Sequence, residues 1–406
     1  MTGFATAVTG IGLVTPAGIG VKESWDRVVE GRPTAAHHAD LEGLPVTMAC
    51  KVPDFAPAAL GRTAWQWDRY SQFAIAATRE ALDQAGLVPG EWADSSRVAV
   101  ILGSGAGGTA TLEAQHRVLL EEGPEEISAM TLPMGLLNMA AGQVAIDIGA
   151  TGPCSAPCTA CASGASAIGQ GRELLRSGLA DIVVAGGAEA PITPLYLSSF
   201  ARMRALSRRL DDPGTASRPF DAARDGFVLG EGAGVVVLES EEHARARGVR
   251  PVARIIGYGA SADAHHVTSP HPEGRGAELA IRAALADAGL TGRDIGYVNA
   301  HGTSTPLNDV VEAGVIHRVA GSDVQVSSTK GVTGHPLGAA GSIEAAFAAL
   351  TVHHGVIPPS ASTAEVDPRV EVDVVHGAAR HGRVDVALSN SFGFGGQNAA
   401  LLIASA

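Results

Sequence analysis

Arg79-Glu80-Ala81-Leu82-Asp83-Gln84-Ala85-Gly86-Leu87 returns 203 positions later as Arg282-Ala283-Ala284-Leu285-Ala286-Asp287-Ala288-Gly289-Leu290. Six of the nine residues are the same, and 203 is half of the 406-residue chain. Each copy closes on Gly-Leu, the glycine a natural helix C-cap, and each precedes a strand-like apolar run, residues 97–102 and 295–300. Working outward, each half then carries a long small-residue helix with a reactive side chain near its start, Cys161 in the first and His335 in the second. Repeat and common element order together predict a duplicated unit. Strands alternating with helices predict α/β layers around a mostly buried sheet. Duplication would bring both helix N-termini to a pseudo-twofold centre, with a pocket between the halves.

Composition narrows the class. Apolar residues make up 46% of the chain but aromatic ones only 4%, so the core must be built from Ala, Val, Leu and Ile. The 51 glycines follow no G-X-Y period, which excludes collagen. A net charge of −13 argues against nucleic acid and against a basic membrane-surface patch. Four cysteines make no disulfide framework, and no uninterrupted apolar run reaches the length of a membrane span. These features predict a soluble cytoplasmic protein. Residues 130–148 read as a long internal helix, 161–177 as a cysteine-bearing helix and 335–353 as a helix opened by His335.

Two motifs invite a wrong reading. Gly103-x-Gly105-x-x-Gly108 sits between a strand and a helix, as a dinucleotide-binding loop would, but 51 glycines generate such patterns readily. Cys154-x-x-x-Cys158-x-x-Cys161 has a spacing that suits an iron–sulfur cluster. Cys161 leads into a tight helical run, however, which favours one reactive cysteine and two small buried ones, with no metal.

Four segments carry the chemistry: Thr159-Ala160-Cys161-Ala162-Ser163, His301-Gly302-Thr303-Ser304-Thr305-Pro306-Leu307-Asn308-Asp309, Lys330-Gly331-Val332-Thr333-Gly334-His335-Pro336-Leu337-Gly338, and Asn390-Ser391-Phe392-Gly393-Phe394-Gly395-Gly396. On these, from about Ala5 to the C-terminus, the chain resembles the elongating Cys-His-His β-ketoacyl-acyl carrier protein synthases of the thiolase superfamily. The resemblance implies a thiolase-like fold, α/β and five-layered αβαβα from two duplicated halves, here 1–250 with the nucleophile and 251–406 with both histidines. It also implies a dimer, no cofactor, and substrates carried on the phosphopantetheine arm of acyl carrier protein. By that resemblance Cys161 is the nucleophile, His301 and His335 the catalytic histidines, and Lys330 the site lysine with Glu344 as its acidic partner. Phe392 gates the pocket beside Phe394, while Thr303 and Thr305 contact the pantetheine arm.

Residue chemistry supports these roles independently. A thiol opening a helix is drawn toward thiolate by the N-terminal dipole, and a histidine there is held neutral. Neutral imidazoles can then hold the oxygen of an enolate formed when a malonyl thioester loses CO2, and that enolate attacks acyl-Cys161. The backbone N–H groups of Cys161 and of Phe392 or its neighbour would form the oxyanion hole.

Carrier docking departs from the family pattern. The stretch Gly61-Arg62-Thr63-Ala64-Trp65-Gln66-Trp67 holds tryptophans where basic side chains are common, and Glu125 and Glu126 are acidic. Arg62, Arg202, Arg204, Arg208 and Arg209 remain as the docking patch. The expectation is therefore a dedicated carrier in a type II polyketide or specialised fatty-acid pathway, acting as homodimer or as heterodimer with a ketosynthase-like chain-length subunit. The alternatives are a housekeeping fatty-acid elongation synthase, a repurposed acyltransferase or cyclase, and a non-catalytic partner subunit.

Overall fold

The computed structural model describes residues 4–406. In the first half, strands β1 (Thr6–Thr15), β2 (Val98–Gly103), β3 (Cys154–Ser155), β4 (Ile182–Glu189) and β5 (Gly232–Ser240) lie in the order β1-β5-β4-β2-β3. The second half contains β6 (Ala253–Ala262), β7 (Tyr297–Asn299), β8 (Gln325–Ser327), β9 (Asp373–Val374), β10 (Val386–Gly393) and β11 (Gln397–Ser405), in the order β6-β11-β10-β7-β8-β9. Up to the extra edge strand β9 the two orders coincide, and so do the strand directions. The first and last long strands of each half pair antiparallel, and the inner pairs β2–β4 and β7–β10 are parallel. A short antiparallel ladder, Thr6 to Val8 against Ile255 to Ala253, joins the halves.

Eight helices place the site: α1 (Arg69–Gln84), α2 (Thr109–Glu121), α3 (Met139–Ile148), α4 (Ser163–Arg176), α5 (Pro194–Arg202), α6 (Arg275–Ala288), α7 (Asn308–Ala320) and α8 (Ala340–His354). Helices α1 and α3 cover the outer face of the first half-sheet, α6 and α7 that of the second. Between the sheets, α4 and α8 pack on each other and touch strands of both halves, which completes five αβαβα layers. Helix α8 is buried from Ala340 through Val352, as a helix apolar all round its circumference must be. Glycines permit the close contact: a Cβ on Gly164 would lie 2.7 Å from Ser342 N, and one on Gly341 2.9 Å from Ala165 N.

The sequence repeat has a packing basis. It lies on α1 and α6, the equivalent outer helices. On β1, a Cβ at Gly12 or Gly10 would lie 1.8 or 1.9 Å from the carbonyl oxygens of Ala77 and Ala81. On β6, a Cβ at Gly259 or Gly257 would meet Ala280 and Ala284 in the same way, at 2.0 and 2.4 Å. Ala77 to Ala280 and Ala81 to Ala284 are each 203 positions. The same helix-on-strand contact therefore occurs twice.

Three expectations need correction. Residues 130–148 are not one internal helix: Thr131–Gly135 ends where Leu136 turns extended, and α3 starts anew at Met139. Pro133 and Gly135 interrupt the run, and Leu132, Leu136, Leu137 and Ile146 are exposed. The helix expected from His335 begins only at Ala340, because Pro336 and the 3₁₀ turn Leu337–Ala339, with Leu337 at φ 38°, intervene. Cys154 and Cys158 are exposed rather than buried, since the segment leading to Cys161 runs along the sheet edge formed by β3.

Candidate active site

Cys161 stands in the 3₁₀ turn Ala160–Ala162 that feeds α4. Ala160 before it has φ 49°, a left-handed conformation unusual for a residue with a Cβ. The turn is pinned by the Ser163 hydroxyl, which accepts from Thr159 N at 2.9 Å and donates to Ala160 O at 2.7 Å. Burial pushes the Cys161 thiol up to about 11, opposed by the Lys330 charge and a hydrogen bond from the Phe394 amide. Loss of water thus opposes the thiolate at this position.

His335 Nε2 lies 3.2 Å from Cys161 Sγ. Its backbone is clamped on both sides: His335 N donates to Val228 O at 2.8 Å, and Gly230 N donates to His335 O at 3.0 Å. His301 follows β7, and its ring meets His335 edge-on with centroids 5.4 Å apart. One donor atom from each of Cys161, His301 and His335 lies within 4.8 Å of the others, and all three side chains are buried. Burial first, then the Lys330 charge, holds both histidines well below the ordinary imidazole range, so both are neutral at pH 7.

Lys330 organises the rear of this group. Its fully buried ammonium donates to His301 O at 2.6 Å, pairs with Glu344, and sits 3.5 Å from His301 Nδ1. An ammonium has no lone pair to offer. His301 Nδ1 must therefore present its own lone pair, and its proton resides on Nε2. Burial pushes Glu344 up to about 7 against the pull of Lys330.

A cavity of about 460 Å³ opens in front of the three residues. Tyr196, Phe200, Phe227, Leu337 and Phe394 give it apolar walls, while Thr303, Thr305 and Asn308 line its polar side. The Thr303 and Thr305 hydroxyls are 2.9 Å apart. Phe392 is part of β10, and its ring lies 5.8 Å from that of His301. Phe394 stands on the glycine loop that follows, next to Gly395 and Gly396 at φ 81° and 70°, with its ring 6.3 Å from Phe200. Arg204 lines the cavity, Arg202 ends α5 beside it, and both are exposed with Arg208, while Arg209 is half-buried. Arg62 is exposed in a separate segment beside Trp65 and lines no part of this cavity.

Sequence reading assigns no role to the supports, although Arg224 opens one of the distinctive segments, 224–234. Glu312, buried on α7, accepts from the His301 and Gly302 amides, both at 2.8 Å, and from Asn390 Nδ2 at 3.1 Å. Buried Arg224 holds the threonine loop, donating to Thr305 O and Pro306 O at 3.1 Å and to Asp367 at 2.8 Å. The Gly103–Gly108 loop is no nucleotide cradle, because its Gly105 and Ala106 amides are taken by the Glu189 carboxylate at 2.8 and 3.0 Å.

A buried thiol, two neutral imidazoles and a buried lysine at a duplicated α/β core define an acyl-transferring enzyme that forms carbon–carbon bonds. The comparisons assign the family. Residues 5–244 match the family described as "Beta-ketoacyl synthase, N-terminal domain" and 252–364 the "Beta-ketoacyl synthase, C-terminal domain", and the chain belongs to the β-ketoacyl synthases. It is 44% identical over 410 residues to the 3-oxoacyl-[acyl-carrier-protein] synthase 2 of Synechocystis, covering 97% of this chain and 96% of that protein. The ishigamide ketosynthase/chain length factor structure superposes with TM-score 0.94 at 33% identity, over 100% of both chains. A type II PKS acyl-carrier protein in complex with its ketosynthase bound to the hexaketide superposes with TM-score 0.92 at 30% identity, again over 100% of both.

Proposed function

We propose that the protein elongates acyl groups on acyl carrier protein by decarboxylative Claisen condensation, as a fatty-acid-type 3-oxoacyl synthase. The juxtaposition of Cys161, His301 and His335 at the head of one cavity carries this reading. In the first half-reaction Cys161 Sγ bonds to the acyl carbon and the carrier's sulfur leaves. The thiol proton passes to water and the departing carrier sulfur takes one from water, while the neutral His335 keeps its proton on Nε2, facing Sγ. The amides of Phe394 and Cys161 hold the tetrahedral oxyanion. In the second, malonyl carrier loses CO2, the Nε2–H groups of His301 and His335 hold the enolate oxygen, and its carbon attacks acyl-Cys161, releasing a thiolate that takes a proton from water to restore the thiol. Lys330 and Glu344 fix the His301 tautomer, and Thr303 and Thr305 receive the pantetheine arm.

Of the two phenylalanines, Phe394 suits the gate better than Phe392, because two glycines at positive φ follow it while Phe392 lies in a paired strand. Arg204 lines the cavity and, with Arg202, Arg208 and Arg209 close to it in sequence, serves as the carrier dock. Arg62 would contribute from its separate surface. The duplication divides the chain near residue 250. A dimer forms through the exposed apolar face of α2, Thr131–Gly135 and α3.

Identity of 44% to a 3-oxoacyl synthase, against 33% and 30% to the two solved ketosynthases, supports fatty-acid elongation over the polyketide lean suggested by Trp65 and Glu125. Polyketide work with a chain-length partner stands as the second reading, favoured by the fold match of 0.94 to a ketosynthase/chain length factor.

Intact-mass analysis of Cys161 loading from a panel of acyl carriers, followed by malonyl carrier, tests the reading. The expected result is an acyl adduct on Cys161, CO2 release and a β-ketoacyl product, all absent in Cys161→Ala. Product formation by Cys161→Ala would overturn the mechanism, and preferential turnover of carriers from polyketide pathways would select the second reading.

A further inference from the structure

Glu189, at the end of β4, has no role in the mechanism above, yet it is fully buried directly behind the nucleophile turn. Its carboxylate accepts four hydrogen bonds: Ser104 Oγ at 2.7 Å, Gly105 N at 2.8 Å, Ala106 N at 3.0 Å and Gly338 N at 2.8 Å. Three come from the loop after β2 in the first half, and the fourth comes from the turn after His335 in the second. The site is packed to contact. A Cβ on Gly338 would lie 2.5 Å from Glu189 Oε2, and one on Gly105 would lie 3.2 Å from it and 3.6 Å from Ala160 O.

Two non-glycine residues in left-handed conformation flank this carboxylate. Ala160, φ 49°, immediately precedes Cys161, and Leu337, φ 38°, comes two residues after His335. Backbone in such conformations persists only where its surroundings over-determine it. Leu337 is held by the Gly338–Glu189 bond on one side and the His335 clamp on the other, and Ala160 packs over Gly105. The second half uses the same device once more, since Glu312 grips the amides of His301 and Gly302 after β7, the strand equivalent to β2.

We propose that Glu189 is a positioning residue for acyl transfer: by bonding the loop after β2 and Gly338 together, it sets the Cys161 Sγ–His335 Nε2 contact across the two halves. Glutamine keeps the size of the side chain, but its NH2 group must face either the Ala106 amide or the Gly105 and Gly338 amides, all of which need an acceptor, so the brace between the loop after β2 and the His335 turn is weakened in either orientation. The carboxylate is also a negative charge near the thiol that raises the Cys161 pKa, and Glu189→Gln removes it. Positioning and charge therefore give opposite signatures. Acyl transfer slows although the thiol ionises more easily.

The test compares the single-turnover rate of Cys161 acylation by acyl carrier protein, followed by intact mass, with the pH profile of Cys161 alkylation by iodoacetamide. Glu189→Gln is expected to acylate about 10- to 100-fold more slowly, with carrier KM changed less than about twofold. Its alkylation profile should move to lower pH. Ser104→Ala, which removes one of the four donors and retains the charge, should slow acylation by about threefold without moving that profile. Acylation by Glu189→Gln at the wild-type rate would overturn the proposal, as would a loss expressed only in KM. Should Glu189→Gln fail to fold, a wild-type acylation rate in Ser104→Ala overturns it.

Discussion

Protonation at the site is decided by what each polar atom faces. His301 and His335 are both depressed by burial and by Lys330, so the condensation rate should stay level on its acid side to well below pH 6.5, measured as product formation against pH. The stability sign follows from the same shifts. An unfolded chain protonates both histidines near 6.5 while the folded one does not, so their contribution is present above that pH and is lost as pH falls through it, by up to about 1.4 kcal/mol per unit per histidine. Glu344, raised to about 7, acts oppositely between its unfolded value and 7, and Glu80, Glu189 and Glu312, also raised by burial, act with it. The histidine share is therefore read by difference: in denaturant titrations from pH 7 to about pH 5, wild type should lose more stability toward acid than a His301→Leu/His335→Leu double variant. Lys330→Met strands Glu344 and should cost about 3–5 kcal/mol, read as a lower melting temperature. Adding Glu344→Leu should recover much of that stability, yet condensation should stay low because His301 Nδ1 has still lost its neighbour. Cys161, His301, His335 and the Lys330–Glu344 pair were legible in the sequence because each sits in a dense local motif. Glu189 and Glu312 were not, since most of their partners are backbone amides, and an amide leaves no mark on residue identity. The thiol's desolvation is hidden for a related reason: a helix start is visible in sequence, whereas complete burial is not.

At the scale of single elements, glycines in strands mark where a helix comes closest. Gly12 faces Ala77 and Gly259 faces Ala280 with no room for a methyl group. Each belongs to one copy of the repeated helix-on-strand unit, so Gly12→Ala and Gly259→Ala should destabilise by similar amounts, about 3 kcal/mol or more each, in equilibrium unfolding. Gly43, whose Cβ would meet nothing within 4 Å, is the control position for crowding, although its positive φ makes alanine there modestly unfavourable. The repeat at 79–87 and 282–290 was readable because α1 and α6 each present the same small face to a sheet. Helix starts were less readable. Pro336 and Leu337 delay α8 to Ala340, and a run of apolar residues at 130–148 concealed the extended break at Leu136, because hydrophobicity alone does not report where the backbone changes direction.

For the whole molecule, duplication explains why one cavity draws on both halves: Cys161 rises at the head of α4, His335 precedes α8, and these two helices form the shared central layer. It does not explain the outer surface. Leu120 is 72% exposed, Ile146 75% and Leu132 61%, on three consecutive helices that touch one another, with Leu112 packed against Gly135 between them. Isolated exposed leucines are ordinary, but a patch on touching elements has the character of a protein interface. Beside it the edge strand β3 carries backbone groups with no strand on their outer side, among the described residues, and an uncovered edge invites pairing with a second chain. The protein alone in solution should therefore have twice its 41.1 kDa chain mass by light scattering. Leu120→Glu combined with Ile146→Glu should return it to a single chain, because two carboxylates would be buried at each contact without partners. If the protein runs as a single chain by itself but doubles its mass on addition of a ketosynthase-like chain-length subunit, the same face serves a heterodimer and the polyketide reading gains. A single chain under both conditions would mean that this apolar surface has another occupant.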